Sequence, residues 1–202
     1  MENLSEKTAV ILDEIRGHAG ENYIPIIREK TLQSLTQACK NASNILEIGT
    51  ATGYSASCML LSCDAFVTTI EKDPVRATQA AQNFNKLNLS HRVRLITGDA
   101  AQELKALTVQ GERFDFIFLD GPKGQYEHYY DDLKTLLRRG GILFADNVFL
   151  HGMVKSDGTI PHKHRSMVVN LRKFLKRLQS DSDFQTQIFD IEDGFTISKK
   201  LK

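Results

Sequence analysis

Phe114-Asp115-Phe116-Ile117-Phe118-Leu119-Asp120 and Gly140-Gly141-Ile142-Leu143-Phe144-Ala145-Asp146-Asn147 are short apolar runs that each close on a carboxylate. Runs of this length and composition read as buried strands. In a parallel α/β sheet, ligands bind outside the carboxyl ends of the strands. Asp120, Asp146 and Asn147 therefore fall where a ligand would sit, and three oxygen-bearing side chains there can share one hard cation. A third run, Ile45-Leu46-Glu47-Ile48-Gly49-Thr50-Ala51-Thr52-Gly53, ends in a glycine-rich turn. The three strand ends predict a nucleotide-like cofactor and a divalent metal meeting at one sheet edge.

Outward from these runs, strands and helices alternate. Strands are expected at 45–49, 66–71, 92–97, 114–119 and 141–145, and helices at 54–62, 74–87, 100–108, 127–138 and 164–179. Such alternation implies right-handed crossovers and an α/β, doubly wound sheet with helices on both faces. The end of the chain breaks the pattern. Phe184 to Phe189 and Phe195 to Ser198 read as short strands joined by Asp190-Ile191-Glu192-Asp193-Gly194, an antiparallel pair. The sheet is thus expected to be seven-stranded and mostly parallel, with one antiparallel strand near an edge. Upstream, residues 3–18 read as a helix with Leu4, Val10, Ile11 and Ile15 as apolar positions, ending near Gly20. Tyr23 to Ile27 is extended because Pro25 disfavours helix for the residue before it. Thr31 to Lys40 reads as a second helix. No repeat or linker divides the chain, so one domain over 1–202 is expected, with an N-terminal helical segment (1–40) and a core (41–202).

Composition sets outer bounds. A chain of 202 residues with 41% hydrophobic residues can bury one full core. A net charge of +1 gives the whole molecule no electrostatic case for nucleic acid. No apolar run approaches the roughly 18 residues of a membrane span. Glu2 and Glu6 with no apolar leader point to a cytoplasmic protein with no membrane partner. Cys39, Cys58 and Cys63 are odd in number and lack metal-ligand spacing, so they read as reduced packing residues.

Gly49 and Gly53 flank the first strand-to-helix turn, where glycine lets the backbone approach a ligand. The turn G-T-A-T-G-Y departs from G-x-G-x-x-G, which weakens a dinucleotide reading. Tyr54 and Ser55 open the next helix, whose N–H groups suit a carboxylate as well as a phosphate. Glu71, ending the second strand, suits both hydroxyls of a ribose. Asp99, after the third, suits an adenine amino group. A helix N-cap is the competing reading for both Glu71 and Asp99. In combination they imply an adenosine with a charged tail and no polyphosphate.

Leu46 to Ser55, Ile70-Glu71 and Gly98-Asp99-Ala100 together resemble class I S-adenosylmethionine-dependent methyltransferases. More narrowly, the chain is similar, over residues 20–200, to the metal-dependent O-methyltransferases related to catechol and caffeoyl-CoA O-methyltransferases. The resemblance implies a Rossmann-like fold and the cofactor S-adenosylmethionine. Glu47, Gly49, Tyr54 and Ser55 would hold its methionine part, Glu71 the ribose, Asp99 and Ala100 the adenine, with Asp120 beside them. It also implies a divalent metal on Asp120, Asp146 and Asn147, read as Mg²⁺ with Mn²⁺ or Ca²⁺ as alternatives. Hard oxygen donors suit all three ions. Asp120 and Lys123 would then be the catalytic residues, Lys123 as general base or as a charge that orients the substrate oxygen. The competing readings are a surface lysine in a turn and a loop cap at Asp146-Asn147. Asp115 is expected to be structural, facing away from Asp120.

The substrate end is less legible. Lys163, His164, Arg165, Arg172, Lys173, Lys176 and Arg177 fall on one helix. It reads either as a solvated amphipathic helix, with Val168, Val169, Leu171, Leu175 and Leu178 inward, or as a basic rim that meets phosphates. Tyr23 to Ile27, Asp120 to Tyr126, Asp146 to Phe149 with Gly152, and Gly194 to Lys200 look like the bacterial branch of the family. That branch includes the tRNA 5-hydroxyuridine methyltransferase, so a tRNA substrate and a homodimer are expected. The departure is Gly121-Pro122, where the family commonly has small non-proline residues. His151, His162 and His164 fit no metal pattern and read as loop or RNA-facing residues. A catechol-type small molecule is the alternative acceptor. An NAD-dependent oxidoreductase and a non-catalytic binding protein are the rivals from other classes.

Overall fold

The apolar runs form the centre of one sheet. The computed structural model describes the backbone of residues 2–202 and the side chains of residues 6–202. Strands β1 (Asn44–Ile48), β2 (Phe66–Glu71), β3 (Val93–Thr97), β4 (Phe114–Leu119), β5 (Leu137–Ala145), β6 (Phe184–Phe189) and β7 (Phe195–Lys200) lie in the order β3-β2-β1-β4-β5-β7-β6. The first five are parallel, and β7 runs antiparallel to both β5 and β6. The helices are α1 (Glu2–Glu21), α2 (Glu29–Ala38), α3 (Tyr54–Ser62), α4 (Pro74–Lys86), α5 (Ala100–Val109), α6 (Tyr126–Leu136) and α7 (Arg165–Ser180).

Two cores follow from strand alternation. Leu46 and Ile48 of β1 join Leu104, Leu133 and Leu171 on the side of α5, α6 and α7. Ile45 joins Leu35, Met59 and Phe84 on the side of α2, α3 and α4. The strand order reverses between β1 and β4, and that is where a cleft opens in such a sheet. Gly49 makes the approach of these two strands possible. It has φ +101°, and a Cβ there would lie 2.6 Å from the Asp120 carbonyl oxygen.

Three details depart from the expectations. β5 starts at Leu137, inside the segment expected to be helix, because Leu137 pairs with Phe114 before a register shift. Gly140, at φ +79°, lies in that shift and supplies the left-handed backbone. Val169 is 48% exposed and not inward, whereas Val168, Leu171, Leu175 and Leu178 are buried as expected. In α1, Ile15 and Ala19 are buried while Val10 is exposed, and Leu4 lies outside the described side chains. No helix among the described residues is long and apolar enough to cross a membrane. Cys39, Cys58 and Cys63 are free thiols, and Cys39 is fully buried. Asp115 holds the start of β1 by accepting the Ser43 and Asn44 N–H groups at 3.1 Å.

The β6–β7 turn reaches back to the N-terminal segment. The cap position of α2 is Arg28, whose side chain makes no capping bond. Glu192 supplies that cap from across the fold, accepting from the Thr31 N–H at 3.0 Å and the Thr31 hydroxyl at 2.6 Å. Although partial burial works against it, Thr31 holds the Glu192 carboxyl below its ordinary pKa. The stabilisation is therefore present above the usual glutamate range and is lost as the pH falls through the lowered value. Glu192→Ala is expected to cost about 1 kcal/mol at neutral pH, and Glu192→Gln less. Thermal melts at pH 7 and pH 3 check this, and equal melting of wild type and Glu192→Ala at pH 7 would contradict it.

Candidate active site

The carboxyl ends of the parallel strands open onto one cleft of about 680 Å³. Gly98, Asp99 and Ala100 line one end, Asp120, Lys123 and Asn147 the other, with Gly49 and Glu71 between. Loops that leave parallel strands at the point where the order reverses diverge to opposite faces, which is why the space exists.

Glu71 is buried, yet it lines the cleft. Its two oxygens accept the Ala51 N–H at 2.8 Å and the Asp73 N–H at 2.9 Å. These bonds tie the glycine turn to the end of β2, and each oxygen keeps a lone pair for a ligand. Asp99 is both a cleft residue and an N-cap. It accepts the Ala101 N–H at 3.0 Å and the Lys72 ammonium at 2.8 Å, and Lys72 keeps its carboxyl below the ordinary range. The N-cap of α4 is Asp73, so that alternative does not apply to Glu71.

Glu47 lies elsewhere. It shares the β1 face of Ile45 and is fully buried behind the glycine turn. The Ser55 and Thr69 hydroxyls each donate to it at 2.5 Å. The Ser55 hydroxyl, expected at the methionine end, is thus directed to Glu47, while Ser55 and Tyr54 line a small side recess with Gly49 and Asp120. Burial, opposed by these two hydroxyls, pushes the Glu47 carboxyl up to about 7.

Asp120, Asp146 and Lys123 meet at the other end. The Lys123 ammonium lies 2.5 Å from Asp120 Oδ1 and 2.8 Å from the Tyr126 hydroxyl oxygen. That hydroxyl in turn faces the carbonyls of Leu119 at 3.0 Å and Asp146 at 3.1 Å. Burial alone would favour the neutral amine, but Asp120 and Tyr126 outweigh it and hold Lys123 above its ordinary pKa. Burial and the nearby Asp120 charge raise the Asp146 carboxyl. Sequence reasoning gave Tyr126 no role. Its signal is the three-residue spacing from Lys123, one helical turn that brings the two groups together.

The donor set fits a hard cation in kind. Asp146 Oδ1 accepts the Asn147 N–H at 2.6 Å, and its other oxygen has no hydrogen-bond partner among the described residues. Asn147, at φ +51°, lines the cleft. No group of three or more His, Cys, Asp and Glu side chains that could hold a metal is found among the described residues. The set therefore rests on two carboxylates and one amide, oxygen donors throughout. The same finding applies to His151, His162 and His164.

The loop after β5 forms one rim. Val148 and Phe149 N–H groups bond to the Gly194 and Asp193 carbonyls, and Lys155 sits 4.2 Å from the Phe149 ring centroid. Arg172 and Arg177 of α7 are structural. Arg172 donates to the Val154 and Ser156 carbonyls, and Arg177 pairs with Glu127 and Asp131. Lys163, Arg165, Lys173 and Lys176 are exposed and make no ion pair among the described residues.

The Glu47 carboxyl gives a pH signature. Its folded pKa of about 7 exceeds the ordinary 4.5, so it stabilises the folded state below that window relative to above it. Wild type is expected to lose this contribution as pH rises from 4.5 to 7. Glu47→Gln removes the dependence, so its stability relative to wild type rises across the same window. Urea unfolding at several pH values measures it, and a pH-independent difference would sink the assignment.

Comparison with known proteins agrees with this architecture. A family model described as O-methyltransferase matches residues 2–201. The caffeoyl-CoA O-methyltransferase of Populus kitakamiensis is 29% identical over 184 residues, 88% of this chain and 78% of the relative. The catechol O-methyltransferase of Niastella koreensis is 38% identical over 133 residues, 64% of this chain and 60% of the relative. The solved O-methyltransferase of Bacillus cereus in complex with SAH superposes with a TM-score of 0.85 at 26% identity, covering 96% of this chain and 91% of that one. An NAD-dependent oxidoreductase does not fit this match. With the family model spanning nearly the whole chain and the cleft at the reversal of strand order, the chain belongs to the O-methyltransferase family.

Proposed function

We propose that this protein transfers the methyl group of S-adenosylmethionine to a hydroxyl oxygen of an acceptor held beside a divalent cation. The observation that carries the reading is one continuous cleft with Glu71 and Asp99 at one end and Asp120, Lys123 and Asn147 at the other. Glu71 would hold the ribose, Asp99 and Ala100 the adenine, and Gly49 the backbone approach to the tail. Glu47, Tyr54 and Ser55 would shape the methionine end, Glu47 and Ser55 by fixing the turn from behind.

Asp120, Asp146 and Asn147 would hold the cation, with Mg²⁺ the first choice. A divalent ion held there would supply Lewis acidity that lowers the pKa of a neighbouring acceptor hydroxyl. The protein's own residues supply alignment and exclude water. Lys123 would stand beside the acceptor oxygen, as its general base or as a positive charge that orients it and stabilises a developing oxyanion.

Two acceptor classes are in play. A catechol-like pair of adjacent oxygens on an aromatic ring suits the donor set and the named relatives. A 5-hydroxyuridine in tRNA offers the same oxygen pair, and the exposed Lys163, Arg165, Lys173 and Lys176 favour it as a phosphate-facing rim. A homodimer with α1 at the contact belongs to the same reading.

Methyl transfer from labelled S-adenosylmethionine to bulk tRNA and to a catechol panel, with Mg²⁺ or EDTA, tests the proposal. Loss of label with EDTA is expected. Asp146→Ala is expected to lower transfer at least roughly 100-fold. Full, EDTA-insensitive transfer by Asp146→Ala would overturn the metal reading. Label in tRNA selects the nucleic acid, and label only in catechols selects the small molecule.

A further inference from the structure

The side of the sheet covered by α2 and α3 holds two thiols that the cleft does not use. Cys39 is the C-cap of α2, and Cys63 is the C-cap of α3. Each precedes a strand by a short connection, and those strands are neighbours. Asn44 of β1 pairs with Phe66 of β2, and the Phe66 N–H donates to the Ser43 carbonyl at 2.9 Å. The register therefore sets the two helix ends side by side. Cys39 Sγ lies 3.6 Å from the hydroxyl oxygen of Ser62, the residue before Cys63. The Cys63 thiol is close enough to act on Cys39 as a hydrogen-bond partner. Both pack in the cluster that contains Leu35, Met59 and Leu60.

The two thiols differ in access. Cys39 is fully buried, whereas Cys63 is half-buried. Burial pushes the Cys39 thiol up to about 12, which keeps it protonated and inert toward a dissolved oxidant. Cys63 is thus the thiol that such an oxidant meets first. Little is lost when the pair joins. Cys39 donates to the Thr36 carbonyl at 3.5 Å and Cys63 to the Met59 carbonyl at 3.2 Å, and a thiol is a weak donor. Cys58 lies more than one turn earlier in α3, where its thiol is hydrogen-bonded with Tyr54.

We propose that Cys39 and Cys63 form a reversible disulfide when the protein meets hydrogen peroxide, a clip that closes the chain around β1, the glycine turn and α3. The Cys63 thiolate attacks one peroxide oxygen and the O–O bond breaks. This gives a Cys63 sulfenic acid, and the departing hydroxide takes the thiol proton as water. The Cys39 sulfur then attacks the sulfenic sulfur. The S–S bond forms, the S–O bond breaks, and hydroxide leaves with the Cys39 proton as a second water. Two thiols are oxidised and one peroxide is reduced. The clip lies at the C-terminal ends of α2 and α3. The recess beside Gly49 is reached from the opposite ends, at Ile27 and Tyr54. Oxidation thus braces the layer behind the glycine turn without touching the cleft, and it restricts the unfolded chain.

Full-length protein treated with hydrogen peroxide, alkylated and digested without reductant tests this by mass spectrometry. The expected product is a Cys39–Cys63 linked peptide lighter by two hydrogens, with Cys58 still alkylated. Dithiothreitol is expected to restore all three thiols. The oxidised protein is expected to melt roughly 5 °C or more above the reduced protein. Cys63→Ser is expected to show neither the link nor the rise, and the wild-type peptide map stands whether or not that variant folds. Sulfinic acid at Cys63, a Cys63–Cys63 link between two molecules, a link through Cys58 or three unreacted thiols overturns the proposal. A Cys39–Cys63 link that leaves the melting temperature unchanged or lowers it overturns the bracing role.

Discussion

The contact between Gly49 and the Asp120 backbone is the constraint on which the site depends. It brings the ends of β1 and β4 so close that no side chain fits between them. Gly121 repeats the condition from the other side, since a Cβ there would lie 2.9 Å from the Ile48 side chain. The glycine turn and the Asp120 loop thus form one surface. A cofactor on the first and a substrate on the second would be in contact without any domain movement. Pro122 follows this junction and fixes the chain direction before Lys123, so the departure from the family at Gly121-Pro122 stiffens the rim and keeps the carboxylate spacing.

Electrostatics at the Asp120 end follow from crowding. Two carboxylates approach each other in a largely buried place, which raises Asp146, and a single ammonium is held between Asp120 and Tyr126. An isolated charge this deep would cost several kcal/mol. The Tyr126 hydroxyl reduces that cost by accepting from Lys123 while turning its hydrogen to backbone carbonyls. The network links β4, β5 and α6, so fold and charge arrangement are coupled.

The β6–β7 turn has a buttressing role. Glu192 caps α2, Asp193 accepts the His151 N–H at 2.5 Å, and Gly194 packs on the Phe149 ring. One five-residue connection thereby braces both segments that flank the cleft, the N-terminal stretch through Pro25 and Ile26 and the loop after Asn147. This explains how irregular segments hold their shape with few regular contacts of their own.

By itself the sequence determined the order of strands and helices, the reversed C-terminal strand, and the placement of Asp120, Asp146 and Asn147 at strand ends. These depend on local periodicity and on apolar runs closed by polar residues, which are properties of short windows. Asp99 was ambiguous between cap and ligand for a physical reason: one carboxylate does the first and also lines the cleft for the second. Glu47 illustrates the opposite limit. Its neighbours in sequence placed it beside a ligand turn, but strand alternation directed it into the core, toward Ser55 and Thr69. Only the tertiary structure decided this, as it decided the early start of β5 and the cap on α2 from Glu192. Each of these joins groups through packing of separate elements, and packing distances are not encoded in the spacing along a single segment.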